Sequence, residues 1–295
     1  MKRYAAWIAV SALFLIAGGA LLLRSISGSW TQAMSPGYWA SRWAGRPDYD
    51  PATRVLRQGN PKLREIALTI DDGPHSGTGD RILDILKREH VRATFFVVGV
   101  RMKQRPDLVR RMFAEGHEVG NHTLDHLRLD ALTPEQARHE INDNDINLCR
   151  LAGRHFRLLR PPGVRYNGTV LRVARDLDYQ IVSWGVAAKD FLEVPPDYIV
   201  DRVLKGTFNG SVILLHDDYP ETVAALPRIL SALKRQGYRF VTISEMLAHL
   251  PTPVIVPPSL AADPLQPATA HPIVVARAKP RMSVGNSGKR AARNP

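Results

Sequence analysis

The chain has one cysteine, Cys149, so no disulfide can form within it. Its neighbours Ile146 and Gly153 suggest a buried helix position, the usual fate of a free cysteine. Acid is scarce: 28 Asp and Glu stand against 40 Lys and Arg, a formal net charge of +12. Such an excess suits solubility and also attracts anionic polymers or membrane faces. No Gly-rich phosphate loop follows the first apolar strand, which argues against a nucleotide-binding protein. No Ala-x-Ala site follows Arg24, so the apolar N-terminus lacks the mark of a cleaved signal.

What is present begins with that N-terminus. Lys2 and Arg3 precede an apolar run from Tyr4 to Leu23, closed by Arg24. Spanning a bilayer takes roughly 20 apolar residues. Residues 1–24 therefore read as a cytoplasmic tip and a single-pass transmembrane anchor in the cell membrane. The basic residues are expected inside and the rest of the chain on the extracytoplasmic side; secretion after signal cleavage is the alternative. Residues 25–62 read as a stalk or lead-in rich in Ser, Gly and Pro, with Trp30, Trp39 and Trp43. Residues 251–295 are punctuated by proline and end in Arg277, Lys279, Arg281, Lys289, Arg290 and Arg293. That composition predicts a disordered basic tail, either a passive extension or an electrostatic tether to an acidic wall polymer.

Between 63 and 250 short apolar strands alternate with amphipathic helices. Strands are expected at 65–70, 93–98, 118–120, 156–160, 180–184, 212–215 and 240–243. Helices are expected at 79–90, 106–115, 134–152, 169–177, 196–204 and 222–236. This alternation predicts an α/β fold with parallel strands and right-handed crossovers. Its seven units are one short of the eight-strand barrel.

The chemistry-bearing residues fall at the C-terminal ends of these strands, where α/β active sites assemble. Asp71 and Asp72 end the first strand. Side chains alternate along a strand, so neighbouring carboxylates are expected to point apart and take different jobs. His122 and His126, spaced i, i+4, are expected to share one face of a helical turn. One Asp with two His is a ligand set for a hydrolytic zinc-type metal with an open position, and the other Asp remains for use as a base. The spacing does not say which Asp is which. Arg160, Trp184 with Asp190, and His216 with Asp217 follow later strands. Thr123, between the histidines, reads as a turn-stabilising hydroxyl.

Taken in order, Thr69-Ile70-Asp71-Asp72-Gly73-Pro74, His122-Thr123-Leu124-Asp125-His126, Arg160-Pro161-Pro162-Gly163, Trp184 with Asp190-Phe191, and Leu214-Leu215-His216-Asp217 resemble five sequence motifs. They are those of the polysaccharide deacetylases, the family-four carbohydrate esterases with the NodB-homology domain. The resemblance implies a distorted (β/α)7 barrel over 63–250 and a divalent metal, zinc by preference, on Asp72, His122 and His126. It implies N-deacetylation of an amino sugar by a metal-activated water attacking the acetamide carbonyl. By the same resemblance Asp71 is the base, and Arg160 orients Asp71 and holds it ionised. His216 is the general acid, paired with Asp190. The metal and a backbone N–H of the Arg160–Gly163 loop hold the oxyanion, and Trp184 and Leu214 shape the acetyl pocket. Phe191 stands where the family usually has Trp, Gly163 where an aromatic is common, and Ile70 where Phe is usual. These departures bear on sugar preference and leave the reacting groups in place.

The expected substrate is an extracytoplasmic N-acetylated glycan polymer: peptidoglycan, a chitin-like chain or poly-N-acetylglucosamine. A deacetylase or deformylase of a lipid-linked sugar is one alternative. A non-catalytic wall-binding protein is another, opposed by the presence of Asp71, Arg160 and His216. A monomer with no nucleic-acid partner is expected.

Overall fold

A computed structural model describes residues 46–153 and 155–252 of the chain. The expected anchor at 1–24, most of the stalk and nearly all of the tail lie outside the described residues. No helix among the described residues is long and apolar enough to cross a membrane.

The strands are β1 (Asp48–Asp50), β2 (Val55–Gln58), β3 (Glu65–Asp71), β4 (Thr94–Val97), β5 (Glu118–Asn121), β6 (Leu158–Leu159), β7 (Gln180–Val182), β8 (Val186–Ala187), β9 (Val212–His216) and β10 (Arg239–Phe240). They form a curled sheet in the order β1-β2-β7-β6-β5-β4-β3-β9-β8, parallel apart from β1. The helices are α1 (Thr78–Arg88), α2 (Gly99–Gln104), α3 (Pro106–Ala114), α4 (Pro134–Ala152), α5 (Gly168–Asp176), α6 (Pro196–Gly206), α7 (Pro220–Arg235) and α8 (Ile243–Ala248). β7 and β8 are one stretch of chain broken at Ser183-Trp184-Gly185. Its first half pairs with β6 and β2, its second with β9 at the other end of the sheet. The sheet thus curls into an open barrel.

Three sequence expectations change. Residues 46–62 were expected to belong to a lead-in, yet β2 pairs in parallel with β7, and Val55 and Leu56 are fully buried. A four-residue strand lying between Pro51 and Pro61 is too short for its alternation to stand out. The expected seventh strand, 240–243, is the two-residue β10, which pairs with the start of β3 off the main path. The chain then turns at Thr242, whose hydroxyl accepts from Glu245 N while the Glu245 carboxylate accepts from Thr242 N, the reciprocal cap that starts α8. Cys149 lies on α4 but is only half-buried; Ile141, Asn144 and Leu148 take the inward face.

Alternation along β3 builds both sides of the sheet. Ile66, Leu68 and Ile70 join the core beneath the helices, whereas Ala67 joins Leu56, Phe96, Val182, Ile243 and Met246 inside the curl. Thr69 and Asp71 follow Ala67 on that inner face by the period of two. Helix α8 closes the lower end of the interior, so the polar site can open only at the C-terminal strand ends. Thr133 caps α4 with Pro134 in its first turn, and Gly153 ends it at φ 68°.

Candidate active site

Registration sets the first contacts. Asp71 lies directly opposite His216 across β3 and β9, and Asn121, just before His122, pairs with Leu159, just before Arg160. Four strand ends therefore meet over the inner face of the sheet.

Arg160 is fully buried beneath this meeting point. Its Nη1 donates to Asp71 Oδ1 and to Thr69 Oγ1, both at 2.7 Å. Its Nε donates to the Val182 carbonyl at 3.1 Å and Nη2 to the Ser183 carbonyl at 2.9 Å. The guanidinium carbon lies 4.3 Å from the centre of the Phe96 ring. Burial lowers its pKa and Asp71 opposes that shift, but an arginine stays charged throughout. A buried cation is tolerated only when paired and hydrogen-bonded in this way.

Asp72 departs from the expected divergence of neighbouring carboxylates. It is the residue after β3 and has φ 73°, a left-handed conformation disfavoured for an L-residue. Its carboxylate thereby comes back to the side of Asp71. Both approach the same imidazole: His122 Nε2 is 3.1 Å from Asp72 Oδ1 and 3.9 Å from Asp71 Oδ2. His126 Nε2 is 2.9 Å from the same Asp72 oxygen. The histidines do not share a helical turn. Residues 122–126 are an irregular loop with Thr123 at φ 69° and His126 at φ 60°, and these two bends bring the rings to 5.0 Å between centroids. The Thr123 hydroxyl is buried without a hydrogen-bond partner, so it does not stabilise the turn; Asn121 Oδ1, accepting from Thr123 N at 2.8 Å, does.

The chemistry of this group fits a cation. Asp72, His122 and His126 each offer a ligand atom, all within 4.8 Å of one another. The His122 Nδ1–H donates to the Arg160 carbonyl at 2.6 Å, which fixes the tautomer and leaves a lone pair on Nε2. In the neutral ring that lone pair is aimed at the Asp72 carboxylate, and a cation held between them takes the place of the proton that otherwise bonds the two. Ligand atoms about 2.0–2.2 Å from one ion lie a little over 3 Å apart, close to the 3.1 and 2.9 Å between Asp72 Oδ1 and the two imidazole nitrogens. Burial works against the charge on Asp72, but the two imidazoles outweigh it and hold the carboxyl far below the usual range.

His216 faces this group across the cleft. Its Nδ1 bonds Asp190 Oδ1 at 2.8 Å and its backbone N donates to Asp190 Oδ2 at 2.8 Å. Thr222 Oγ1 donates to the same oxygen at 2.8 Å. Burial opposes the charge on His216, but the Asp190 hydrogen bond and the charges of Asp190, Asp71 and Asp72 prevail and raise its pKa to about 9. Phe191 and Tyr219 stand edge-on to the imidazole at 5.7 and 6.2 Å.

In the Arg160–Gly163 loop the donor inventory is short. The Arg160 N–H donates to the Asn121 carbonyl, and Pro161 and Pro162 have no N–H. Beyond the loop, Val164 N and Arg165 N donate to the Pro161 and Pro162 carbonyls. The Gly163 N–H remains, on a residue at φ 62° that lines the cleft.

One cleft of about 400 Å³ collects Asp71, Asp72, His122, His126, Gly163, Trp184, Leu214 and His216. Arg160 and Asp190 do not line it; they lie fully buried behind Asp71 and His216. The sequence reading missed Val164, Ala187 and Lys189 in the lining and Thr69 and Thr222 behind it. Thr69 was accessible from alternation, two positions before Asp71; Thr222 carried no signal.

The polysaccharide deacetylase family model matches residues 58–182. A peptidoglycan-N-acetylglucosamine deacetylase of Bacillus cereus is 37% identical over 209 residues, which cover 69% of this chain and 98% of that protein. The peptidoglycan-N-acetylmuramic acid deacetylase PdaC of Bacillus subtilis is 37% identical over 63% of this chain, which spans 39% of that longer protein. Among solved structures, the Bc1960 peptidoglycan N-acetylglucosamine deacetylase matches with a TM-score of 0.64 and 37% identity, over 65% of this chain and 92% of that one.

Proposed function

Because this chain belongs to the polysaccharide deacetylase family and is a hydrolytic N-deacetylase, we propose that it removes acetyl groups from the amino sugars of peptidoglycan. The observation that carries this reading is the convergence of Asp71, the Asp72-His122-His126 group, the Gly163 N–H and His216 on one cleft. The substrate is supported by what its relatives act on, two of them named for the two amino sugars of that polymer. The basic-flanked apolar run at 4–23 supports an anchored enzyme working outside the cell membrane.

Asp72, His122 and His126 would hold a divalent cation, zinc in our reading, which when bound acidifies water and polarises a carbonyl. Asp71, oriented by Arg160, takes the proton of the attacking water. The Gly163 N–H hydrogen-bonds the carbonyl oxygen as negative charge develops there. His216 donates the proton that lets the amine depart. Trp184 and Leu214 surround the acetyl methyl with apolar surface.

Acetate release from purified peptidoglycan tests the reading. The chelator-stripped full chain should release none, and reloading with zinc should restore release. Zinc-loaded protein that frees no acetate from any N-acetylated glycan would sink the proposal.

Protonated His216 is the working form, so activity should persist through neutral pH and fall as pH rises through the imidazole value that Asp190 holds above the ordinary one. A cation on Asp72 offsets the contribution of the site carboxylates, leaving the Asp190 hydrogen bond as the lasting cause. Asp190→Asn should therefore move the alkaline limb of the kcat/KM profile down toward the ordinary histidine value of about 6.5. An unmoved limb would remove Asp190 from that role. The sign for stability is the same: the raised imidazole contributes fully below its unfolded pKa of about 6.5, and the contribution is lost as pH climbs through the folded value.

A further inference from the structure

Helix α2 (Gly99–Gln104) plays no part in the chemistry above, yet it touches both loops that carry the ligand group. Val98 N donates to the Gly73 carbonyl at 2.9 Å, on the loop of Asp72. Gly99 N donates to the Thr123 carbonyl at 3.0 Å and Val100 N to the Leu124 carbonyl at 2.9 Å, on the loop of His122 and His126. Arg101 Nη1 donates to the carbonyl of Asp72 itself at 2.5 Å. The first N–H groups of a helix have no partner within it, and here they are satisfied by these two loops.

The contacts are selective. Asp72 and Thr123 both hold left-handed backbones, at φ 73° and 69°. Each has its own carbonyl bonded by α2, the first by the Arg101 side chain and the second by Gly99 N. These bonds fix the peptide planes that follow the two strained residues, and so fix where their side chains and neighbours aim. The approach is close enough to require glycine: a Cβ on Gly99 would lie 2.8 Å from Leu124 Cδ1 and 3.1 Å from Leu124 Cα.

The geometry points to the first turn of α2 as the bracket that sets the spacing of the metal-ligand loops, with Arg101 as a positioning residue for Asp72. The inference rests on the metal reading of the Asp72-His122-His126 group. Arg101 touches neither substrate nor cation; it acts through the Asp72 backbone.

Zinc affinity of the full chain, measured by competition with a chromophoric chelator, tests it. Outer partners of ligands commonly change metal affinity by 10–100-fold, so Arg101→Ala should weaken zinc binding by about tenfold. Arg101→Lys, which can still donate to the Asp72 carbonyl, should recover most of that loss. Gly99→Ala, which wedges α2 away from Leu124, should weaken binding as well. Thermal unfolding of the zinc-free proteins is read alongside. A purely structural role would lower zinc-free stability and zinc affinity together, with no rescue by lysine, and would overturn the inference. Equal zinc affinity in wild type and Arg101→Ala would overturn it too while leaving the metal reading intact. A wild type that binds no zinc would overturn both.

Discussion

Replacing Asp71 by asparagine is expected to lower kcat by about 10²–10⁴-fold, the usual reach of a positioned base, with zinc content unchanged. Asparagine keeps the shape and an oxygen for Arg160 Nη1, which donates to Asp71 Oδ1 at 2.7 Å. It cannot take a proton from water. Metal should be retained because Asp72 Oδ1, at 3.1 and 2.9 Å from the two imidazoles, is the oxygen placed among the ligand atoms. Asp71 Oδ2 stands off at 3.9 Å from the nearer one. Elemental analysis and acetate release on the same preparation separate the two jobs. Retained turnover would strip Asp71 of its role, and lost zinc would mean that both aspartates are ligands.

The second large effect belongs to Arg160→Leu. Four hydrogen bonds from this fully buried side chain join Thr69, Asp71, Val182 and Ser183. Removing one partner of a buried ion pair costs about 3–5 kcal/mol, because the other charge is left buried without compensation. Activity should fall as well, since the base loses its orientation. Lysine is no substitute, as a single ammonium cannot reproduce the planar fork. Urea denaturation of wild type, Arg160→Leu and Arg228→Ala gives the scale. The exposed Arg228–Asp197 pair should contribute less than about 1 kcal/mol. Arg160→Leu as stable as wild type would contradict the account of the buried pair.

Much of this architecture was legible in the chain. Helix α4 has the predicted bounds because its signals are strong: Thr133 with Gln136 at the start, Pro134 in the first turn and Gly153 at the end. Of the ten site residues named from the sequence, eight line the cleft, while Arg160 and Asp190 lie buried behind it; the reacting residues were legible at strand ends, and Gly163 and Leu214 only through the family resemblance. The failures were local and backbone in origin. Asp72, Thr123 and His126 owe their directions to positive φ angles, which neither residue type nor spacing reveals. Alternation predicted diverging carboxylates and helical spacing predicted stacked histidines. One left-handed residue after β3 undid the first, and an irregular loop with two undid the second. Helix α2 went unseen because Val98 reads as strand and its six residues offer no side-chain cap. Helix α8 did carry a legible cap, Thr242 with Glu245, hidden by the apolar Phe240-Val241 before it.

The break at Ser183-Trp184-Gly185 has a wider meaning. Where β7 stops, the carbonyls of Val182 and Ser183 receive the guanidinium of Arg160. The same guanidinium holds Asp71 from β3 and rests on Phe96 from β4. Asp71, the base of the proposed mechanism, is therefore oriented only when four separate strands have docked. A chain that has lost any one of them, even by local opening, loses the aim of Asp71 before it loses its shape. Turnover then serves as a gauge of complete folding, silent until the barrel has curled.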